Sequence, residues 1–303
     1  MTYPEGIYAA MMTPFTETGS VNLTEVRRMT EFMIQGGVQG LFPVSNVGEH
    51  IQLDLRQKQC VVEAVVEQAA GRVRVFPGIS SAGTRQAAEF GQFCKEAGAD
   101  GVVLSAPFYF PYPPDVVCDG LEAVVCQVDL PVVLYNIPLY ANAISPDMIR
   151  RLLRYDVVVA MKDSSGSVPA LLEYVDIARE MRPSFRVLVG WEEMLVSAMA
   201  VGASGCMTAS GGIFPEIMAA LYRSIQEGRR ERAAALQNLI AKATKRMKQV
   251  FFPYGYKLAM QARGFSMGHY AVAFDESRIL GEQRDIETMV EEVLTEFKGL
   301  ERR

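Results

Sequence analysis

The stretches Pro131-Val-Val-Leu-Tyr135-Asn136-Ile137-Pro138 and Val157-Val-Val-Ala-Met-Lys162-Asp163-Ser-Ser-Gly166 run through short β-branched apolar segments to one reactive side chain, then break. Such segments favour strands, so Tyr135 and Lys162 fall at strand ends. A lysine at the end of an apolar strand has a poorly solvated charge, which raises its fraction of free amine. A free amine beside a tyrosine proton carrier is what a carbonyl substrate needs to form a Schiff base. Two simpler readings stand beside this one: Lys162 pairs with Asp163 or faces solvent, and Tyr135 is a core aromatic.

Moving outward, strand-like and helix-like segments alternate along the chain. Apolar runs occur at Gly6–Met12, Gly40–Val44, Val73–Gly78, Gly101–Ala106, Pro131–Asn136, Val157–Lys162, Phe185–Gly190 and Gly205–Thr208. Amphipathic segments follow each in turn: Leu23–Gln35, Asp54–Ala70, Thr84–Ala97, Pro114–Val128, Ser145–Arg154, Val168–Met181, Glu192–Val201 and Pro215–Gln226. Glycines at Gly36-Gly-Val-Gln-Gly40, Ala97-Gly-Ala-Asp-Gly101 and Gly202-Ala-Ser-Gly205 suit helix ends turning into strands. Eight strand–helix pairs predict an α/β protein with a parallel sheet closed as a (β/α)8 TIM barrel over residues 1–227. A doubly wound open sheet is the alternative, but no strand leads into GxGxxG. Residues 228–303 read as a C-terminal helical extension packed on the barrel, with helices at Glu231–Gln249, Tyr256–Arg263 and Gln283–Phe297.

The 303 residues are half hydrophobic and carry a formal charge of −5, which argues against a nucleic-acid surface. Five cysteines show no CxxC pair and no metal spacing, as expected of reduced packing thiols in a cytoplasmic protein. The first residues lack the basic-then-apolar pattern of a signal peptide. No run approaches the ~18–20 apolar residues of a membrane helix. His50 and His269, the only histidines, suggest neither a triad nor a metal site.

Barrel active sites gather residues from the C-terminal ends of different strands. That position selects Ser45, Asn46, Val47, Gly48 and Glu49 after the second strand, and Phe108 and Tyr109 after the fourth. It also selects Tyr135, Lys162, Gly190, Trp191, Glu192, Glu193, Met207 and Thr208 on or after strands five to eight. Glu49, following a glycine, reads as an anchor for its turn rather than a reacting group. Tyr109 lies in an aromatic, proline-rich loop that would brace the barrel mouth or a subunit contact.

Tyr-Asn-x-Pro at 135–138 and Lys-Asp-x-Ser-Gly at 162–166, with Gly48-Glu49 and Ala106-Pro-Phe-Tyr109, resemble the dihydrodipicolinate synthase/N-acetylneuraminate lyase family of pyruvate-dependent class I aldolases. The resemblance covers nearly the whole chain. It implies that Lys162 forms an imine with the keto group, that no cofactor or metal is needed, and that Tyr135 shuttles protons. It further implies that Tyr109 extends the relay into a neighbouring subunit of a homo-oligomer, a dimer or tetramer. The substrate carboxylate would rest on the N–H groups of Asn46 and Val47, a suitable cradle for an oxyanion. The carbonyls of Gly190 and Met207 would line the same pocket.

The chain departs from the family pattern in two places. Ser45-Asn46-Val47-Gly48-Glu49 stands where the family carries two hydroxyl residues before Gly-Glu, so the proton relay must differ; Asn46 offers an amide and Ser45 a hydroxyl instead. Tyr140 occupies the position of an arginine in dihydrodipicolinate synthases, and a phenol cannot replace a bidentate guanidinium. Gly190-Trp-Glu-Glu193 resembles the sialic-acid-lyase branch, with Glu192 and Ser164 placed to hold substrate hydroxyls. The expected activity is a pyruvate lyase acting on a hydroxylated 2-keto acid and an aldehyde, such as a 2-keto-3-deoxy sugar acid. A Schiff-base dehydratase, a dihydrodipicolinate-type condensation and a non-catalytic keto-acid-binding protein are the alternatives. The partners expected are small molecules, with neither nucleic acid nor membrane.

Overall fold

In a computed structural model, the structure describes residues 3–268 and 272–302, so His269 lies outside the described residues. Strands β1 (Gly6–Ala10), β2 (Gly40–Phe42), β3 (Arg74–Val75), β4 (Val102–Ser105), β5 (Val132–Asn136), β6 (Val158–Asp163), β7 (Arg186–Val189) and β8 (Gly205–Thr208) fall within or beside the expected runs. They pair in parallel in the order β3-β2-β1-β8-β7-β6-β5-β4. The seam between β3 and β4 is joined by backbone bonds, Asp100 N–H to Val75 O at 3.0 Å, Val103 N–H to Pro77 O at 2.8 Å and Ile79 N–H to Val103 O at 2.9 Å. The eight strands therefore form the expected TIM-barrel sheet.

The intervening helices are α1 (Leu23–Gln35), α2 (Leu55–Ala69), α3 (Thr84–Glu96), α4 (Pro114–Val125), α5 (Pro146–Leu152), α6 (Val168–Met181) and α7 (Leu195–Val201). Then come the short α8 (Ser210–Ile213) and α9 (Pro215–Gln226). Their starts are written locally: Asp54 caps α2 in a reciprocal pair with Gln57, while Ser145 and Ser167 cap α5 and α6 just before a proline-bearing first turn. Helix α7 differs from the expected segment, beginning at Leu195 after a 3₁₀ turn over Glu192–Met194. Helix α8 has no counterpart in the sequence reading. Its Ser-Gly-Gly-Ile composition is poor for a helix, but a Cβ at Gly211 would meet Ala9 Cα at 3.2 Å, so the glycine permits close packing on β1.

The extension consists of α10 (Arg230–Met247), α11 (Tyr254–Ala262) and α12 (Leu280–Glu301). Leu236, Leu239, Ile240 and Met247 of α10 and Ile286, Val290 and Val293 of α12 belong to the same buried apolar cluster as the barrel. No helix among the described residues is long and apolar enough to cross a membrane.

One charged pair lies inside this core. Lys257 of α11 is fully buried and ion-paired with Glu49, which is 3 % exposed. The Lys257 Nζ also lies 4.5 Å from the centre of the Phe15 ring. The pair ties the extension to the turn after β2 and holds Glu49 at a φ of 56°. Removing one partner strands a buried charge. Lys257→Met should therefore cost about 3–5 kcal/mol in denaturant unfolding, and Glu49→Gln added to it should recover part of that loss. A loss below ~1 kcal/mol would mean that the extension does not depend on the pair.

Candidate active site

Lys162 and Tyr135 are paired in register on β6 and β5, at their C-terminal ends. Successive strand residues point to opposite faces, so Lys162 and Asp163 diverge. Asp163 faces the helix layer, where it accepts a bond from Asn136 Nδ2 at 2.8 Å and one from Ser165 Oγ at 2.9 Å. Asn136 in turn accepts from the Ile144 N–H at 3.0 Å, and the Tyr174 hydroxyl closes the network on Ile144 O. Asp163 is thus committed elsewhere and is not the partner of Lys162.

The Lys162 amine is 4 % exposed, 4.0 Å from the centre of the Tyr135 ring and 5.1 Å from that of Phe42. Burial lowers its pKa from 10.5 to about 7, opposed by the nearby charge of Glu192. That drop corresponds to about 5 kcal/mol against the ammonium, whereas cation–π contact returns only ~0.5–2 kcal/mol. Desolvation wins. Tyr135 is raised above its usual range by the same burial, and the Ser164 hydroxyl works against the rise. Glu192 is 4 % exposed, and burial raises its carboxyl while the Ser210 N–H donates to it at 3.2 Å.

Across the cavity lies the turn after β2. Val44 and Glu49 have φ of 54° and 56°, a left-handed conformation that few side chains adopt. The Ser45 hydroxyl donates to Met11 O at 2.9 Å and accepts from the Gly48 N–H at 3.2 Å, while Thr13 Oγ1 donates to Gly48 O. A Cβ at Gly48 would stand 2.6 Å from Met11 O, so only glycine fits there. Among the described residues the N–H groups of Asn46 and Val47 have no protein acceptor, and both residues line the cavity. Two unspent amides are suited to a carboxylate.

A single cavity of about 320 Å³ brings together Lys162, Tyr135, Ser45, Asn46 and Val47 with Tyr140, Ser164, Gly190, Glu192 and Met207. Tyr109 is not among them. It is 86 % exposed with a φ of 78°, and lines a second cavity of about 520 Å³ that meets the first at Asn46, Tyr135 and Tyr140. The sequence reading missed the contribution of the extension: Lys248, Phe251, Phe252 and Tyr256 wall the Lys162 cavity. Tyr140 stacks on Phe252 at 5.9 Å, and Lys248 Nζ lies 4.1 Å over the Trp191 ring while pairing with Glu193 at 2.6 Å. The aromatic-proline break Phe251-Phe252-Pro253 between two helices was the available signal. No cluster of three or more metal-ligating side chains occurs among the described residues.

The sequence matches the dihydrodipicolinate synthetase family over residues 3–273. The chain belongs to this family. It is 33% identical over 233 residues to a probable 2-dehydro-3-deoxy-D-pentonate aldolase, YjhH, of Escherichia coli strain K12, covering 76% of this chain and 77% of that protein. It is 30% identical over 275 residues to a 4-hydroxy-tetrahydrodipicolinate synthase of Methanosphaerula palustris, covering 90% and 94% of the two chains. The crystal structure of YagE from Escherichia coli K12, in complex with pyruvate, superposes with a TM-score of 0.89 at 25% identity, covering 95% of this chain and 98% of that one. The protein is accordingly an enzyme of the pyruvate-dependent class I aldolase and lyase kind.

The lowered pKa has a direct check. Labelling of Lys162 by a small amine-reactive reagent, followed peptide by peptide in a mass spectrometer, should rise with pH to a half-maximum near 7. Exposed lysines should follow near 10. A Lys162 midpoint above 9 would contradict the burial argument.

Proposed function

We propose that the protein is a Schiff-base pyruvate lyase that cleaves, or condenses, a hydroxylated 2-keto acid such as a 2-keto-3-deoxy sugar acid. The observation that carries this reading is the Lys162 amine, held near neutral pKa against the Tyr135 phenol in a cavity floored by two unspent amides. At pH 7 about half of such amines are uncharged, against roughly 0.03 % for an ordinary lysine, a gain near 10³ in nucleophile. Lys162 Nζ attacks the keto carbon while the substrate carboxylate lies on the Asn46 and Val47 N–H groups. Tyr135 gives its proton to the departing hydroxyl as water leaves, and the imine forms. In the cleavage direction Tyr135 removes the proton of the distal hydroxyl, the C–C bond breaks to release the aldehyde, and the electron pair passes into the imine as an enamine. Protonation and hydrolysis then free pyruvate and the amine. The residues need no cofactor or metal for this route.

The substrate class rests on two further features. Tyr140 stands where a guanidinium would grip a second carboxylate, and Glu192 offers a buried acceptor for hydroxyls. The relative named as a 2-dehydro-3-deoxy-D-pentonate aldolase supports the same choice. Tyr109 completes the relay from a second copy of the chain in this reading, consistent with its exposure, with Phe110 packed edge-on against it and exposed Ile51 lining the same cavity. Sedimentation should then show a dimer or larger assembly at micromolar concentration; a monomer would remove Tyr109 from the relay.

The decisive measurement is intact mass after incubation with pyruvate and borohydride. An adduct of pyruvate mass is expected, absent in Lys162→Ala. Tyr135→Phe should lower turnover by roughly 10²–10⁴. With 2-keto-3-deoxy acids the products should be pyruvate and an aldehyde; an intact carbon chain short of one water would identify a dehydratase. No adduct at all would overturn the imine.

A further inference from the structure

Tyr135 requires a hydrogen-bond donor of its own. Its phenol lies in an apolar strand end where burial disfavours the phenolate, so proton transfer stalls unless a donor stabilises the charge as it forms. The turn after β2 presents no hydroxyl at Asn46 or Val47. Ser45 cannot substitute, because its hydroxyl proton is spent on Met11 O. The Thr208 hydroxyl lies 3.7 Å from the Cys206 sulfur.

Ser164 is differently held. Its N–H donates to the carbonyl of Asn136, the neighbour of Tyr135, at 2.8 Å, and its carbonyl accepts from Trp191 Nε1 at 2.9 Å. These bonds fix the backbone at 164 from both sides and aim the side chain at Gly190. A Cβ on Gly190 would fall 1.8 Å from Ser164 Oγ and 2.8 Å from Lys162 Cε. The hydroxyl and the lysine stem therefore occupy adjoining space that exists only because residue 190 is glycine. Ser164, Lys162 and Tyr135 share the one cavity.

We propose that Ser164 is the positioning residue of the proton relay, donating its hydroxyl to the Tyr135 oxygen in place of the hydroxyls absent from residues 46 and 47. This assignment rests on the imine at Lys162 and deepens it. Ser164 keeps its proton, stabilises the phenolate while Tyr135 is deprotonated, and orients the phenol toward the lysine-bound carbon. In this role it acts on pyruvate itself, which has no distal hydroxyl for a serine to hold.

Exchange of the pyruvate methyl protons for deuterium, followed by proton NMR in heavy water, isolates that role. Each exchange removes a proton from the imine and returns a deuteron, so it reports the relay without any aldehyde. Ser164→Ala should slow exchange by roughly 10²-fold, while borohydride still traps the same pyruvate adduct with unchanged half-saturation. The pH at which exchange becomes half-maximal should move upward, and Ser164→Thr should restore most of the rate. Exchange at the unaltered rate in Ser164→Ala would overturn the assignment, as would a loss confined to the KM for hydroxylated keto acids. Slow exchange in both the Ala and Thr forms would reduce Ser164 to a packing role and also overturn it. Absence of both adduct and exchange in the unaltered protein would instead overturn the imine, and this assignment with it.

Discussion

Burial lowers the pKa of the Lys162 amine to about 7, and most features of the site serve that condition. Its surroundings are the rings of Tyr135 and Phe42 and the stem space left by Gly190. A carboxylate bonded directly to the amine would undo the effect, since an opposite charge a few ångströms away favours the ammonium. Glu192 is the nearby acid, and its own burial pushes its carboxyl toward the neutral form, which limits the opposition it offers. Two groups that are each costly to ionise thus share one cavity. Their cost is borne by a barrel core whose remaining strand residues are almost wholly apolar.

Strand geometry removes the other possible counter-ion. Asp163 follows Lys162 directly, yet the pleat sends it to the opposite face, where Asn136 and Ser165 occupy its oxygens. This is why the two sequence motifs travel together. Tyr135-Asn136 and Lys162-Asp163 are adjacent in register, so the reactive pair faces the barrel interior while the supporting pair is hydrogen-bonded behind it. Asn136 fixes the loop at Ile144 as well, and that loop leads into α5. Holding the strand ends from outside the barrel keeps the Asp163 carboxylate away from the amine.

Strand and helix positions were legible because β-branched runs, proline starts and glycine ends are local signals. So was the set of residues that gathers at one cavity, since barrel topology places strand ends on one rim. Ten of the eleven chosen site residues line one cavity. Tyr109 escapes because its loop projects outward and leaves the side chain exposed. The fate of the Ser45 hydroxyl was hidden for a related reason: Met11 is far from it in sequence and adjacent only once β1 and β2 pair. The helix α8 was hidden by composition, because tertiary packing on β1 overrides the low propensity of its glycines.

The least legible part was the far wall. Residues 250–255 looked like a gap between packing helices, yet they and the adjoining helix ends place Lys248, Phe251, Phe252 and Tyr256 on the cavity that holds the amine. The buried Glu49–Lys257 pair explains how a surface extension can do this with fixed geometry. It fastens α11 to the same turn that exposes the Asn46 and Val47 amides, so the wall and those two amides share one anchor. Strands β5 to β8 thereby supply Tyr135, Lys162 and Met207 to the cavity, and the extension shapes the space beyond them. Phe251 and Phe252 border the same cavity as Lys162, so a change at either alters both its shape and the access of water to the amine.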